Sequence, residues 1–271
     1  MYHSVTFGDK NTWKDWHLVP ASRPTFSMPP LKERYVDLPG VNGSIDMTEA
    51  VTGYPVYGNR TGSMEFIVMN EWYAEDGSYV RGTWHERYSD IANYLHGRRM
   101  HAVLEDDPQF YYDGRFKLQE WRSEKDYSRI VIEYSVDPYK WYYTTTADTQ
   151  WKWDPFNFET DMILATVYTG ILITDGRPKE ISFSEYFDRY IDPSVLYGYA
   201  PVKVFATTNA PYGALIQYPN FWTGALSTMT IEKDVPTLLP ELIFINRTTT
   251  IKARTVADNG TLSLDFRPGR L

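Results

Sequence analysis

The side chains able to do chemistry are few, and their spacing excludes most reactions. The five histidines stand at positions 3, 17, 85, 96 and 101, all in the first half of the chain. No two of them show the His-Glu-x-x-His spacing that sets two imidazoles on one helical face to hold zinc. His85-Glu86 comes nearest, but position 89 is Ser, and His85 and His96 read as solvent-facing helix residues. Two carboxylates held about 5–10 Å apart could hydrolyse a sugar. The densest acidic group is Glu105-Asp106-Asp107, immediately before Pro108. Neighbours in sequence are not thereby paired in space, so the simpler reading is a solvated turn. No Gly-x-Ser-x-Gly elbow offers a serine nucleophile. Gly58-Asn59-Arg60-Thr61-Gly62 lacks the lysine and the following helix of a phosphate loop and reads as a turn. Aromatic residues are the remaining handle. Trp141-Tyr142-Tyr143 and Trp151-Lys152-Trp153 could stack on sugars, fill a protein interface or pack as a hinge between two domains.

Composition narrows the classes further. There is no cysteine, which excludes disulfide frameworks, thiolate nucleophiles and cysteine-ligated metal centres. The net charge is -8, with 16 basic and 21 acidic residues up to Trp141 and 11 and 14 after it. Neither half carries the basic excess that gripping a phosphate backbone requires, so no specific nucleic-acid binding is expected. The stretch Met162–Ile173 is apolar but is broken by Thr166, Thr169 and Gly170, too short to cross a bilayer. The first residues show no basic segment ahead of an apolar run, so the expectation is a soluble protein made in a cytoplasm, with no membrane insertion.

The elements that must position these residues read mainly as β. With 22 Tyr, 13 Phe and 9 Trp, the chain is rich in rings that pack well on a pleated surface. The first seventy residues are punctuated by turn chemistry at Gly8-Asp9, Pro29-Pro30, Pro39-Gly40, Asn42-Gly43 and Asn59-Arg60, leaving short strands at Ser4–Phe7, Tyr35–Leu38 and Ser63–Met69. One helix is predicted, from about 84 to 96. Thr83-Trp84-His85-Glu86 has the form of a capping box, Trp84, Tyr88, Ile91 and Leu95 make one apolar stripe, and Gly97 suits a left-handed cap. A β-meander follows: Arg99–Glu105, a turn at Tyr111–Arg115, then Phe116–Trp121 and Arg129–Val136.

A domain boundary is placed near Trp141, giving domains 1–141 and 142–271. The second half carries short strands at about ten-residue spacing, at Ile163–Val167, Ile171–Thr174, Glu180–Phe183, Val202–Ala206, Ala214–Tyr218, Ser227–Ile231, Glu241–Ile245, Thr249–Ala253 and Thr261–Phe266. That rhythm suggests a β-sandwich. Ser184–Tyr190 could form one helical turn or two.

An ordered set of motifs over the first 140 residues resembles the distal tail protein family of long, non-contractile phage tails. The set runs through Asp9-Lys10-Asn11-Thr12-Trp13-Lys14-Asp15-Trp16-His17-Leu18, Arg23-Pro24, Tyr35-Val36-Asp37-Leu38-Pro39-Gly40, Gly43-Ser44-Ile45-Asp46-Met47-Thr48 and Tyr57-Gly58-Asn59-Arg60. It continues with Leu95-His96-Gly97, Asp106-Asp107-Pro108, Tyr111-Tyr112-Asp113-Gly114-Arg115 and Asp137-Pro138-Tyr139-Lys140.

The resemblance implies a ring-forming, β-barrel-like N-terminal domain with one helix, then a galectin-like β-sandwich. It implies a homohexamer that joins the tail tube protein to the tail-tip or tail-associated protein at the baseplate. Receptor-binding proteins would be anchored there, and a central channel would pass DNA. The location implied is the virion, with no catalytic residues, no cofactor and no metal. Sugar-binding galectins use a histidine, and the second half has none. Residues assigned to subunit or tube contacts are Trp13, Trp16, Arg23, Asp46 and Arg60, each of which could instead serve its own domain's core or turns. An alternative function is a carbohydrate-binding module for host cell-wall polysaccharide. A wall-degrading hydrolase would have only the Glu105–Asp107 cluster behind it.

Overall fold

The computed structural model describes residues 3–68, 71–73, 77–81, 84–119, 122–123, 127–143, 168–184, 187 and 199–271. Among them the chain is mainly β, and it divides into two compact units, Met1–Lys140 (with Leu271) and Trp141–Arg270.

The first unit is built on β1 (Val5–Phe7), β2 (Lys10–Asn11), β3 (Leu18–Pro20), β4 (Tyr35–Asp37), β5 (Ser44–Asp46), β6 (Arg60–Val68), β7 (Glu71–Tyr73) and β8 (Tyr79–Arg81). These are followed by α1 (Trp84–Leu95), β9 (Arg99–Leu104), β10 (Phe110–Leu118), β11 (Arg122–Ser123) and β12 (Ser128–Val136). An antiparallel sheet runs β2–β1–β9–β10–β12–β6–β3. Among the described residues its path is open, without closure into a barrel. Period-two alternation sets its inner face. On β12, Ile130, Ile132, Tyr134 and Val136 are buried, opposite Phe66, Met64, Gly62 and Arg60 of β6. The helix lays fully buried Ile91 and Leu95 on this core, with Tyr88, Ala92 and Tyr94 packed beside them. Gly97 takes φ +77° as a helix cap needs, and its amide donates at 2.7 Å to the Phe116 carbonyl of β10. The capping residue Thr83 lies outside the described residues.

Three expectations are corrected. Tyr111–Arg115 is no turn but the middle of the nine-residue strand β10. Gly114 is there because strands meet closely: a Cβ at that position would strike the Ser135 carbonyl and Val136 on β12. The reversal comes earlier, at Glu105–Gln109, where Asp107 N donates to Leu104 O at 3.0 Å and Phe110 N to Asp107 O at 3.2 Å. Gly58–Gly62 is likewise no turn beyond Asn59, since Arg60 opens β6 with its side chain buried. The Glu105–Asp107 group does lie on a turn, as expected, but it is not simply solvated, because each of its three carboxylates ties down another segment.

The second unit contains the end of β13 (Lys140–Tyr142), then β14 (Ile171–Ile173), β15 (Lys179–Ser182), β16 (Ala200–Thr208), β17 (Ala214–Pro219), β18 (Leu226–Ile231), β19 (Thr237–Leu238), β20 (Phe244–Ile245), β21 (Thr250–Thr255) and β22 (Gly260–Arg270). One sheet runs β14–β22–β16–β19, the other β15–β21–β17–β18. Their inner faces share one core. Val202, Val204, Leu264 and Phe266 come from the first sheet, and Ile181, Ile216, Tyr218 and Ile251 from the second. That is a β-sandwich. Gly260 has no room for a side chain, as a Cβ there would sit 2.6 Å from Cβ of Ala210. The proposed strand Ile163–Val167, the Trp151–Trp153 cluster and Thr144–Thr146 lie outside the described residues. Of Ser184–Tyr190 only Ser184 and Phe187 are described, both helical, with Phe187 N donating to Phe183 O at 2.9 Å.

Candidate functional site

Between β3 and β6 the chain forms a two-stranded arm. At its base Gly58 N donates to Pro30 O and Lys32 N to Val56 O, both at 2.8 Å. Farther out Met47 N donates to Arg34 O at 2.8 Å, and β4 pairs with β5 in the register Tyr35↔Asp46, Val36↔Ile45, Asp37↔Ser44. The reversal between them uses Gly40 (φ +82°) and Gly43 (φ +80°), and Ser44 Oγ donates to Asp37 Oδ1 at 2.6 Å. These turn residues are the Pro-Gly and Asn-Gly signals of the sequence.

Every residue of β4 and β5 is exposed. The apolar side chains that would ordinarily line a core therefore meet solvent: Met28 is 71% exposed, Tyr35 56%, Val41 58%, Ile45 45% and Val51 93%. A hairpin of two strands is marginal by itself in water. Apolar side chains gathered on one exposed element are a candidate contact surface. Charge also bears on the arm. Glu33 and then Asp46 raise the pKa of Tyr35, while hydrogen bonds from the Thr48 side chain and backbone hold Asp46 below the usual carboxylate range.

The five sequence-assigned contact residues occupy different settings. Asp46 lies on the arm, accepting from Thr48 N at 2.9 Å. Arg23 is exposed and reaches Asp106 Oδ2 from Nε at 2.8 Å. Trp13 is half-buried, edge-on to the His17 ring at 6.1 Å. Trp16 is buried in the core of its own unit, stacked on Phe7 and edge-on to Tyr94. Arg60 is buried too: Nε donates to Pro138 O at 2.8 Å, Nη1 to Ser27 O at 2.9 Å, and the guanidinium lies 5.5 Å from the Tyr112 ring centroid. Burial lowers its pKa. The structure thus brings Asp46 to the arm and gives Trp16 and Arg60 work inside the fold.

The acidic turn is a fastening point. Glu105 accepts from Ser4 N at 2.7 Å and Ser4 Oγ at 3.0 Å, Asp106 meets Arg23 and His3 Nδ1, and Asp107 accepts from Lys140 Nζ at 2.6 Å. Hydrogen bonds from Arg23 and then His3 lower the Asp106 pKa, and the Ser4 amide lowers that of Glu105. Among the described residues no group of three or more His, Asp or Glu side chains could hold a metal ion. No described helix is long and apolar enough to cross a membrane.

In the second unit Trp141 is buried beneath Lys203 Nζ, 4.6 Å from its ring centroid, and Arg270 covers the Tyr142 ring at 5.4 Å. Tyr143 is 57% exposed. Sequence reasoning missed the exposed Trp222, held on a turn in which Asn220 Oδ1 accepts from Trp222 N at 2.9 Å and Thr223 N at 3.1 Å. The Asn-x-x-x-Gly spacing of Asn220–Gly224 was the available signal.

These features define a mainly-β protein of two units whose first unit carries an exposed arm. No family model matches the chain, and no curated protein matches it. Among solved structures it is similar to the Dit protein of phage SPP1, described as a paradigm of the hub adsorption apparatus in phages that infect Gram-positive bacteria. The alignment covers 100% of both chains at 9% identity, with a TM-score of 0.47.

Proposed function

We propose that this protein is a structural component of a phage tail, located in the virion. Six copies close into a ring that joins the tail tube to the tail tip. An N-terminal domain, 1–141, forms the ring, and a C-terminal domain, 142–271, is a galectin-like sandwich that anchors tail-tip and receptor-binding proteins. DNA passes through the central channel. The observation that carries this reading is the solvent-facing arm. There Tyr35, Val41, Ile45 and Val51 face solvent instead of their own unit's core, and a closed ring of identical copies supplies a partner repeatedly. The motif order through Asp9–Leu18, Tyr35–Thr48 and Tyr57–Arg60 supports the same assignment, since most of those motifs lie on or beside the arm. An acidic chain with a net charge of -8 lets a polyanion pass without adhering.

Mass photometry and negative-stain electron microscopy of the purified chain test this. Sixfold annuli with a central opening are expected. A species that remains monomeric at high concentration overturns the reading.

A further inference from the structure

We propose that the outward face of the β15–β21–β17–β18 sheet binds an anionic, hydroxyl-rich polymer: a glycan or polyol chain carrying phosphate or carboxylate groups. This site is on the second unit and does not depend on the ring. Alternation on these strands sends Ile181, Ile216, Ile251 and Ala253 into the core. It leaves the intervening residues on the opposite face. There Gln217 lies between Thr228 and Lys252 in the ladder, and Leu215 opposes Arg254. Together with Pro178 these side chains line a groove of about 280 Å³.

The chemistry of the groove is that of polyol and oxyanion recognition. Gln217 offers an amide and Thr228 a hydroxyl, in loose contact at 3.5 Å and therefore open to a better partner. Leu215 and Pro178 supply an apolar floor for a sugar face or a methylene chain. Cations exceed anions locally. Lys252 pairs with Glu180 at 3.0 Å on the surface, an exposed pair that an incoming anion can exchange. The Arg254 guanidinium makes no hydrogen bond or ion pair with any described residue. Its planar fork suits a phosphate or carboxylate. This surplus stands out in a half-chain with 11 basic and 14 acidic residues, and it is what selects an anion. Hydroxyls continue along the face at Thr230, Thr250 and Ser182, the last two paired in register, which suits an extended chain over a single small ion.

Calorimetric titration of the full chain at low salt with poly(glycerol phosphate), polygalacturonate and neutral dextran tests the site. At least one anionic polymer should bind while dextran does not, and affinity should fall as sodium chloride is raised. Which anionic polymer binds decides between phosphate and carboxylate. Lys252→Gln with Arg254→Gln should weaken binding by about tenfold or more. Lys117→Gln, at an exposed lysine of the first unit, should leave it unchanged. The proposal is overturned if neither anionic polymer binds at millimolar repeat unit, if the double variant binds as the parent does, or if Lys117→Gln loses as much. A double variant with an altered oligomeric state also overturns it, since the face would then be a protein contact. Binding that persists in a chain forming no rings strikes the tail-ring reading alone.

Discussion

The guanidinium of Arg60 donates from Nε to the carbonyl of Pro138 at 2.8 Å, across 78 positions of the chain. With its second bond to Ser27 O, it clamps the start of β6 to the segment after β12 and to the segment before the arm. Arg60→Ala leaves both carbonyls without their charged donor and opens space against Tyr112. The expected loss is about 3 kcal/mol, or about 10 °C in Tm. Differential scanning calorimetry checks this, and an unchanged Tm would show that the clamp carries no stability.

Gly8 and Tyr94 form a second long-range pair. Gly8 sits at φ +60°, and a Cβ there would collide with the Tyr94 hydroxyl, which accepts from Asp9 N at 3.0 Å and lies 3.0 Å from Phe7 O. Gly8→Ala therefore carries both a backbone and a steric cost, about 2–3 kcal/mol together. Tyr94→Phe removes the steric part, so Gly8→Ala should cost only about 1 kcal/mol in that background. A urea-unfolding double-mutant cycle measures the coupling, and strict additivity would refute it.

Gly114 tests the corrected reading of β10. Gly114→Ala places a methyl group against the Ser135 carbonyl and the Val136 backbone, neither of which can yield as a flexible side chain would. A loss above about 3 kcal/mol is expected, with increased amide exchange on β10 and β12. An alanine accepted at that position without loss would mean that the residue sits in a loose turn after all.

The carboxylates of the Glu105–Asp107 turn predict acid sensitivity. Asp106 and Glu105 are held below their ordinary pKa in the folded state, so the stability they contribute is fully present above the usual carboxylate range. It is lost as pH falls through the lowered folded values. The urea midpoint should drop below about pH 4, and Asp106→Asn should flatten that dependence by lowering stability at neutral pH. Parallel pH profiles for parent and variant would count against the ties to Arg23 and His3.

The arm separates stability from assembly. Val36 and Ile45 face each other across the hairpin, both exposed. Val36→Lys with Ile45→Lys should change unfolding free energy by no more than about 0.5 kcal/mol per site. The same variant should abolish rings in electron micrographs. Rings that survive would move the subunit contact off the arm.

Much of the secondary structure was legible because its signal is local. Alternation in Met64, Phe66 and Val68 and in Ile130, Ile132, Tyr134 and Val136 encodes strands in neighbouring residues. The stripe Tyr88, Ile91 and Leu95 ahead of Gly97 encodes the helix in the same way. The Pro-Gly and Asn-Gly pairs marked the arm's reversal. Where local reading failed, a distant residue had overruled it. Gly114 resembles a turn glycine until Val136 is seen across the ladder, and Asn59-Arg60 resembles a loop until Ser27 and Pro138 are seen accepting from the guanidinium.

Sequence by itself determined that the protein is mainly β, free of cysteine chemistry, acidic, and built without a recognisable catalytic spacing, because composition and period-two patterning are properties of short windows. Only the tertiary structure decided that Trp16 and Arg60 are buried while Tyr35, Ile45 and Val51 face solvent. It alone placed Gln217, Thr228, Lys252 and Arg254 on one groove. Burial and adjacency arise from pairing between strands far apart in the chain, and no window of neighbouring residues contains that information.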